Sequence, residues 1–537
     1  MRLYKEGLTL KNYKYKEYVF NITPCVFYGL LCGAFTGAFI CIFKWLAGKA
    51  EYASRYLYGA AKISPLYIAL VFLALVALGL AMAILHKKLP EVKGGGIPRS
   101  EGVLRGVLSF KCVRTLAGTF VGSMIAFFAG LPLGCEGPAV LIGTCIGGLI
   151  VNVSKNKAAW NRYVTSGGAG AGFAVATGAP LSGVLFVLEE VHKRFTPMLV
   201  LTVSVSVITA TCVNMLLSPV LGVSTSFLDL GVLKGFELSH VGYLLLLGLI
   251  LALAVGAFDT SISLISKLSK KTKKYVKGWL KLCIVFVITG ILAFTLTDGI
   301  YSGHHTIAEL VVGNKIISAV IVLFIVRFVM MVIVADSGAT GGIFIPTLAI
   351  GALIGTLSAE LLIVMGMDKG LYSTVILLSM CAFIGGTLRA PLTATVLFIE
   401  LTGQFTNLFY VALVVFTVYV ITELLNRTPF YDRVLYNMEE HENQGKVHFE
   451  SMFELKISSR AFVIGKTVRD VMWPPATIVL SVKHADENIS DIGTVGEKVL
   501  FNGDTVIVKS KYSDKTEIEN ILYALVGKEH KIKTIEK

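Results

Sequence analysis

Residues 134–138 read Gly134-Cys135-Glu136-Gly137-Pro138 and lie inside an apolar run from Thr119 to Val151. A charged side chain at membrane depth is expensive, so a lone acid there marks function by default. The glycines let the backbone approach a ligand, and Pro138 suits the first turn of a helix whose unpaired N–H groups point at whatever binds. Glu136 therefore stands where an anion would stand.

Two more stretches share the design of glycines followed by proline at a helix start: Gly94-Gly95-Gly96-Ile97-Pro98 and Gly341-Gly342-Ile343-Phe344-Ile345-Pro346. Three converging helix starts replace part of an anion's hydration shell without burying a full positive charge. Taken singly, each stretch reads equally as an ordinary helix end or kink. Three in order, with a glutamate in the middle one, favour an anion site.

The surrounding chain is apolar. Of its 537 residues, 55% are hydrophobic and 16% charged, and the mean hydropathy is +0.73, which excludes a soluble enzyme of this size and indicates a polytopic membrane protein. Tyr67 to Leu85 and Val241 to Phe258 carry no charge and approach the roughly 20 residues that cross a bilayer. Glycine-rich interruptions at Gly167 to Ala174, and at Gly385-Gly386 before Pro391, predict tight helix packing and broken helices.

The net charge of +14 belongs to the membrane part: residues 438–537 hold 14 basic and 16 acidic side chains, leaving 35 and 19 in residues 1–437. Basic clusters at Lys11 to Lys16, Lys87, Lys88 and Lys93, Lys155 and Lys157, Lys193 and Arg194, and Lys267 to Lys281 predict cytoplasmic loops and a cytoplasmic basic N-terminal segment, residues 1–24. No basic face with interleaved aromatics exists outside the apolar segments, so nucleic acid is not an expected partner. The nine cysteines, Cys25 to Cys381, form no C-x-x-C pair and read as packing residues. No metal or redox cofactor is expected, and nothing in the first twenty residues resembles a cleaved leader.

An internal repeat is visible: Ala179-Pro180-Leu181-Ser182 to Glu189 matches Ala390-Pro391-Leu392-Thr393 to Glu400 at an offset of 211 residues. Paired halves place a substrate site at their interface, near the bilayer midplane. After Leu425 the pattern breaks at Asn426-Arg427-Thr428-Pro429, residues 436–445 read as a polar linker, and residues 446–537 as a small α+β unit. Its expected elements are strands at Ala476 to Val482 and Thr505 to Val508 and a helix at Lys515 to Leu525. Gly465-Lys466-Thr467 is not a P-loop, because the upstream glycine is replaced by Arg460.

The three ordered motifs make residues 25–435 resemble the CLC family of chloride channels and chloride/proton antiporters. The resemblance implies an all-α membrane fold of inverted repeats with broken helices, homodimeric in the lipid of the plasma membrane, with one pathway per subunit and both N-terminus and C-terminal domain cytoplasmic. It implies anion contacts from Gly95, Gly96, Ile97, Ile343, Phe344 and Tyr431. Glu136 matches the external gating glutamate, whose carboxylate competes with the anion and whose protonation opens the way. Burial beside anions favours a neutral acid, which suits a proton carrier. Glu190 matches the internal proton-relay glutamate of the antiporters, which many passive channels lack. On the residues alone, Glu190 reads equally as an acid at a helix end paired with His192, Lys193 or Arg194.

The sequence departs from the family pattern twice. Gly95 replaces the usual serine, a loss of one hydrogen bond worth on the order of 1 kcal/mol, and Cys135 replaces the usual arginine before the gate. Chloride/proton exchange leads; a passive chloride channel is the alternative, and a fluoride/proton antiporter is third, since that branch usually carries methionine at the position of Gly95. The tail resembles the C-terminal domain of regulators of potassium conductance, through Arg460 to Val468 and Asn502-Gly503-Asp504-Thr505. That resemblance implies dimerisation and, in some members, cyclic di-AMP in the dimer cleft.

Overall fold

Eighteen α-helices and a four-stranded sheet lie within the residues that a computed structural model describes, 10–152, 157–225, 233–272, 277–313, 315–443, 449–485 and 494–535. In order the helices are α1 Leu10–Ala61, α2 Pro65–Lys88, α3 Ile97–Arg105, α4 Cys112–Phe128, α5 Glu136–Val151, α6 Lys157–Thr177, α7 Pro180–Leu185 and α8 Pro197–Leu221. They continue with α9 Val241–Thr272, α10 Gly278–Thr295, α11 His304–Val312, α12 Ile317–Ser337, α13 Phe344–Val364, α14 Tyr372–Leu388, α15 Pro391–Thr402, α16 Leu408–Leu424 and α17 Phe430–Asn443. Among the described residues, nine helices are long and apolar enough to cross a membrane. The protein is a multi-pass membrane protein.

Helix length places the site. At 1.5 Å per residue the 16-residue α5 spans about 24 Å, and the nine-residue α3 about 14 Å, both short of the roughly 30 Å hydrocarbon core. Their N-terminal residues, Ile97 and Glu136, are buried inside the protein. Small residues make the close packing that holds such half-helices: a Cβ on Gly143 of α5 would lie 2.1 Å from the Gly168 carbonyl oxygen of α6, and one on Gly168 would lie 2.0 Å from the Gly143 oxygen. The two backbones touch, the contact that replaces hydrophobic pressure between helices in lipid.

The 211-residue repeat is joined by an exchange of carboxylates. Glu189, at the end of the first copy, accepts hydrogen bonds from the Leu392 and Thr393 backbone N–H groups at 2.9 and 2.7 Å and from the Thr393 hydroxyl at 2.7 Å, at the start of α15. Glu400, at the end of the second copy, accepts from Leu181 and Ser182 N–H groups at 2.6 and 2.8 Å and from the Ser182 hydroxyl at 2.6 Å, at the start of α7. Each acid satisfies orphan donors and the positive end of the other half's helix. Glu189→Gln and Glu400→Gln are each expected to lower stability by about 1–2 kcal/mol, as hydrogen bonds to charged groups do. Thermal unfolding in detergent measures it, and equal loss from both variants is the signature of the symmetry.

The segment read as a polar linker is largely helix: α17 continues to Asn443, where Glu442 pairs with Arg99 of α3. Its charged residues lie on a helix that follows the last span, and the lack of apolar residues concealed it. Residues 444 and 445 of that segment fall outside the described residues. The tail forms a sheet of order β2-β3-β1-β4, all antiparallel, from β1 Phe449–Lys456, β2 Thr477–Lys483, β3 Thr505–Tyr512 and β4 Lys533–Ile535, with α18 Lys515–Val526. Phe453, Leu455, Val506, Val508, Leu522 and Leu525 form its core. The two expected strands and the helix are present. Lys466 lies 3.5 Å from the centroid of the Phe462 ring, and Thr467 bonds Asp470, so the Gly-Lys-Thr triplet is engaged internally.

The tail sits directly on the membrane domain. Arg162 of α6 donates to the Leu104 carbonyl of α3 at 2.8 Å and to the Trp473 carbonyl at 2.9 Å, while the Tyr163 hydroxyl donates to the Asp470 carbonyl at 3.2 Å. Trp160 packs edge-on against Phe462 with centroids 5.3 Å apart.

Candidate functional site

The three glycine motifs come together by backbone hydrogen bonds. Gly134 N–H donates to the Gly342 carbonyl at 2.6 Å and Gly342 N–H returns one to Gly134 at 2.7 Å. Gly94 N–H donates to the Gly338 carbonyl at 2.9 Å, and Gly341 N–H donates to Gly94 at 3.4 Å. First and second motifs meet at Gly137, where a Cβ would stand 1.7 Å from the Gly95 oxygen and 2.9 Å from Gly342 Cα. Gly96, at φ 82°, caps α3 in a conformation that L side chains rarely adopt. Ile97, Ile343 and Phe344 follow immediately, all buried. The starts of α3, α5 and α13 thus share one small space.

Glu136 opens α5 and is fully buried. One carboxylate oxygen accepts a weak hydrogen bond from Cys135 Sγ at 3.2 Å; the other has no hydrogen-bond partner among the described residues. Gly134 is the residue that makes room for it, since a Cβ there would stand 2.3 Å from the free oxygen. A helix start favours an anion, and an unpartnered buried carboxylate oxygen there calls for a functional explanation.

Glu190 lies in a π-helical turn, Phe186–Val191, that follows α7, and π-turns are frequent at functional sites. It is 1% exposed, and neither carboxylate oxygen has a hydrogen-bond partner among the described residues. The alternative pairings do not form among the described residues: His192 bonds the Ser166 hydroxyl at 2.6 Å, Lys193 bonds Asp432 at 3.0 Å, and the Arg194 side chain reaches neither Glu190 oxygen. Arg105 instead holds the backbone of this turn, donating to the Glu190 and Val191 carbonyls at 3.1 and 2.8 Å.

Tyr431, at the start of α17, is 1% exposed with an unpartnered hydroxyl, and it lies within electrostatic range of both Glu136 and Glu190. An aromatic path joins the levels: Phe344 meets Phe173 edge-on at 5.1 Å, and Phe173 stacks on Phe186, in the π-turn of Glu190, at 4.5 Å. Of the eight residues expected from the sequence, Glu136, Glu190, Gly96, Ile97, Ile343, Phe344 and Tyr431 are buried and Gly95 is half-buried. Sequence reasoning missed Phe173 and Phe186 on this path, and Glu101, fully buried and 2.5 Å from Arg105, which in turn meets Asp432 at 3.1 Å. The Glu101–Arg105 spacing of four was the available signal.

Comparison with known proteins gives the same architecture. The chain is 28% identical over 384 residues to the H(+)/Cl(-) exchange transporter ClcA of Vibrio parahaemolyticus serotype O3:K6, covering 70% of this chain and 80% of that protein. The protein of the same name from Salmonella newport is 28% identical over 375 residues, 68% of this chain and 78% of that one. Among solved structures, a slow cyanobacterial Cl-/H+ antiporter superposes with a TM-score of 0.72 at 24% identity, over 78% of this chain and 99% of that one. A CLC-type fluoride/proton antiporter gives 0.64 at 20% identity, over 78% and 97%. At these identities the two structures establish the fold. Residues 78–423, more than half the chain, match the sequence profile described as "Voltage gated chloride channel", and the chain belongs to that family.

Proposed function

We propose that the protein is a secondary transporter that exchanges chloride, or a similar small anion, for protons. Glu136 is the gate and outer proton acceptor, Glu190 the inner one. Gly95, Gly96, Ile97, Ile343, Phe344 and Tyr431 surround the anion. The carrying observation is a pair of buried, incompletely partnered carboxylates, Glu136 at one of three cross-bonded helix starts and Glu190 in a π-helical turn. Relatives named H(+)/Cl(-) exchange transporter support the same reading. In proteoliposomes loaded with chloride, an outward chloride gradient drives proton uptake with no initial proton gradient. Chloride flux without proton movement would instead establish the passive channel, the second reading, which Glu190 disfavours. Fluoride competition in the same assay separates the fluoride/proton alternative.

Gly95 offers a graded test of the anion contact. A Cβ there would meet only the Gly341 oxygen, at an ordinary 3.5 Å, so Gly95→Ser fits and supplies a hydroxyl donor. One such bond, about 1 kcal/mol, corresponds to roughly fivefold tighter chloride binding by titration calorimetry. Unchanged affinity would place the anion elsewhere.

The basic loops support a plasma-membrane orientation with N-terminus and tail cytoplasmic. A homodimer is proposed on the resemblance to the family, with one pathway per subunit. The tail is proposed to regulate transport through the Arg162 contact with α3, with cyclic di-AMP as candidate ligand. Unchanged flux after deletion of residues 446–537, with and without cyclic di-AMP, removes that role.

A further inference from the structure

We propose that Lys44 of α1 is the cation at the outer approach to Glu136, drawing anions to the site from a helix outside the three motifs; this rests on the anion-exchange reading above. The loop leading into α5, Ala129 to Cys135, holds no basic residue, so a charge at this mouth must come from elsewhere. Helices α1 and α5 run antiparallel side by side. A Cβ on Gly143 would lie 3.2 Å from Thr36 Cγ2. One turn along each helix, Ile40 and Ala139 belong to one buried cluster with Phe43 and Val175, against which Cys135 packs. A further turn on α1 brings Lys44 to the level of Cys135.

The neighbouring α6 fixes the ammonium there. Its Gly172 sits against the Ala139 carbonyl, where a Cβ would be 2.2 Å from the oxygen, and Val175, three residues on, accepts a hydrogen bond from Lys44 Nζ at 3.0 Å. Lys44 is half-buried and forms no ion pair among the described residues, its one hydrogen bond being to a backbone carbonyl. It stands within electrostatic range of Cys135 and Glu136, and of His304 at the start of α11. A fixed cation at the rim of a low-dielectric mouth raises the local anion concentration, and salt screens it with a Debye length of about 10 Å at 0.1 M.

The test is the initial rate of radiolabelled chloride uptake into proteoliposomes against chloride concentration, with ionic strength set by impermeant gluconate. Lys44→Met keeps the aliphatic stem and removes the charge. It is expected to raise the apparent KM roughly threefold to tenfold at low ionic strength, with the maximal rate within about twofold of wild type. High ionic strength shrinks the difference, and Lys44→Arg restores the wild-type KM. An unchanged KM in Lys44→Met, or a rise that salt does not lessen, overturns the proposal. Absence of saturable chloride uptake by the wild type would overturn the exchange reading instead.

Discussion

Replacing Glu136 by Gln is expected to abolish coupled proton movement while chloride still crosses. The amide has nearly the shape of the protonated acid, so it fits beside Cys135 and beneath Gly134, but it neither carries a proton nor competes as an anion. Proton flux driven by a chloride gradient falls by roughly 100-fold or more, the contribution of a positioned proton-transfer group. Chloride flux persists and loses its dependence on pH, because the competing carboxylate is gone. The measurement is simultaneous recording of chloride efflux and external pH from proteoliposomes. Retained proton uptake in Glu136→Gln would move the proton acceptor to another carboxylate, with Glu101, buried beside Arg105, next in line.

Gly137→Ala should do the opposite and eliminate anion transport itself. The added methyl would fall 1.7 Å from the Gly95 oxygen and 2.9 Å from Gly342 Cα, both backbone atoms held by the cross-bonded loops. Neither can rotate away as a side chain would, so the starts of α3, α5 and α13 must separate. A misplacement of about 1 Å in a positioned site costs on the order of 100-fold in rate, and overpacking of this kind costs about 1–3 kcal/mol in stability. The expected result is a protein with a lowered thermal midpoint and about 100-fold slower chloride flux. Gly95→Ser is the paired control, since it adds a side chain a few ångströms away where there is room. Wild-type flux in Gly137→Ala would show that the helix starts are not what holds the anion.

The candidate site was legible in the sequence because its parts are written locally. Glycine, proline and one acid within five residues specify a helix start, its free N–H groups and its ligand-facing group, whatever packs around them. What stayed hidden depends on neighbours distant in the chain. Glu189 and Glu400 were visible as a repeat, yet nothing in either copy says that each acid serves the other copy's helix. Cys135 reads as a missing charge; Lys44, 91 positions earlier, becomes relevant only once α1 lies along α5. The helix hidden in the linker failed for a different reason: hydrophobic periodicity reports burial, and the end of α17 is a mostly polar helix. β1 was missed although Phe453 and Leu455 alternate inward, because its N-terminal half is exposed or only half-buried and carries no alternation.

The reciprocal carboxylates also bear on how the chain is made. When the first half leaves the ribosome and inserts, Leu181 and Ser182 present helix-end donors that no group within that half satisfies in the finished fold. Their acceptor, Glu400, is synthesised more than two hundred residues later. The second half is born with its acceptor, Glu189, already in the bilayer. Biogenesis is thus asymmetric even though the product is symmetric: the early half must wait, open-ended, for the late one, and the late one docks onto a waiting template.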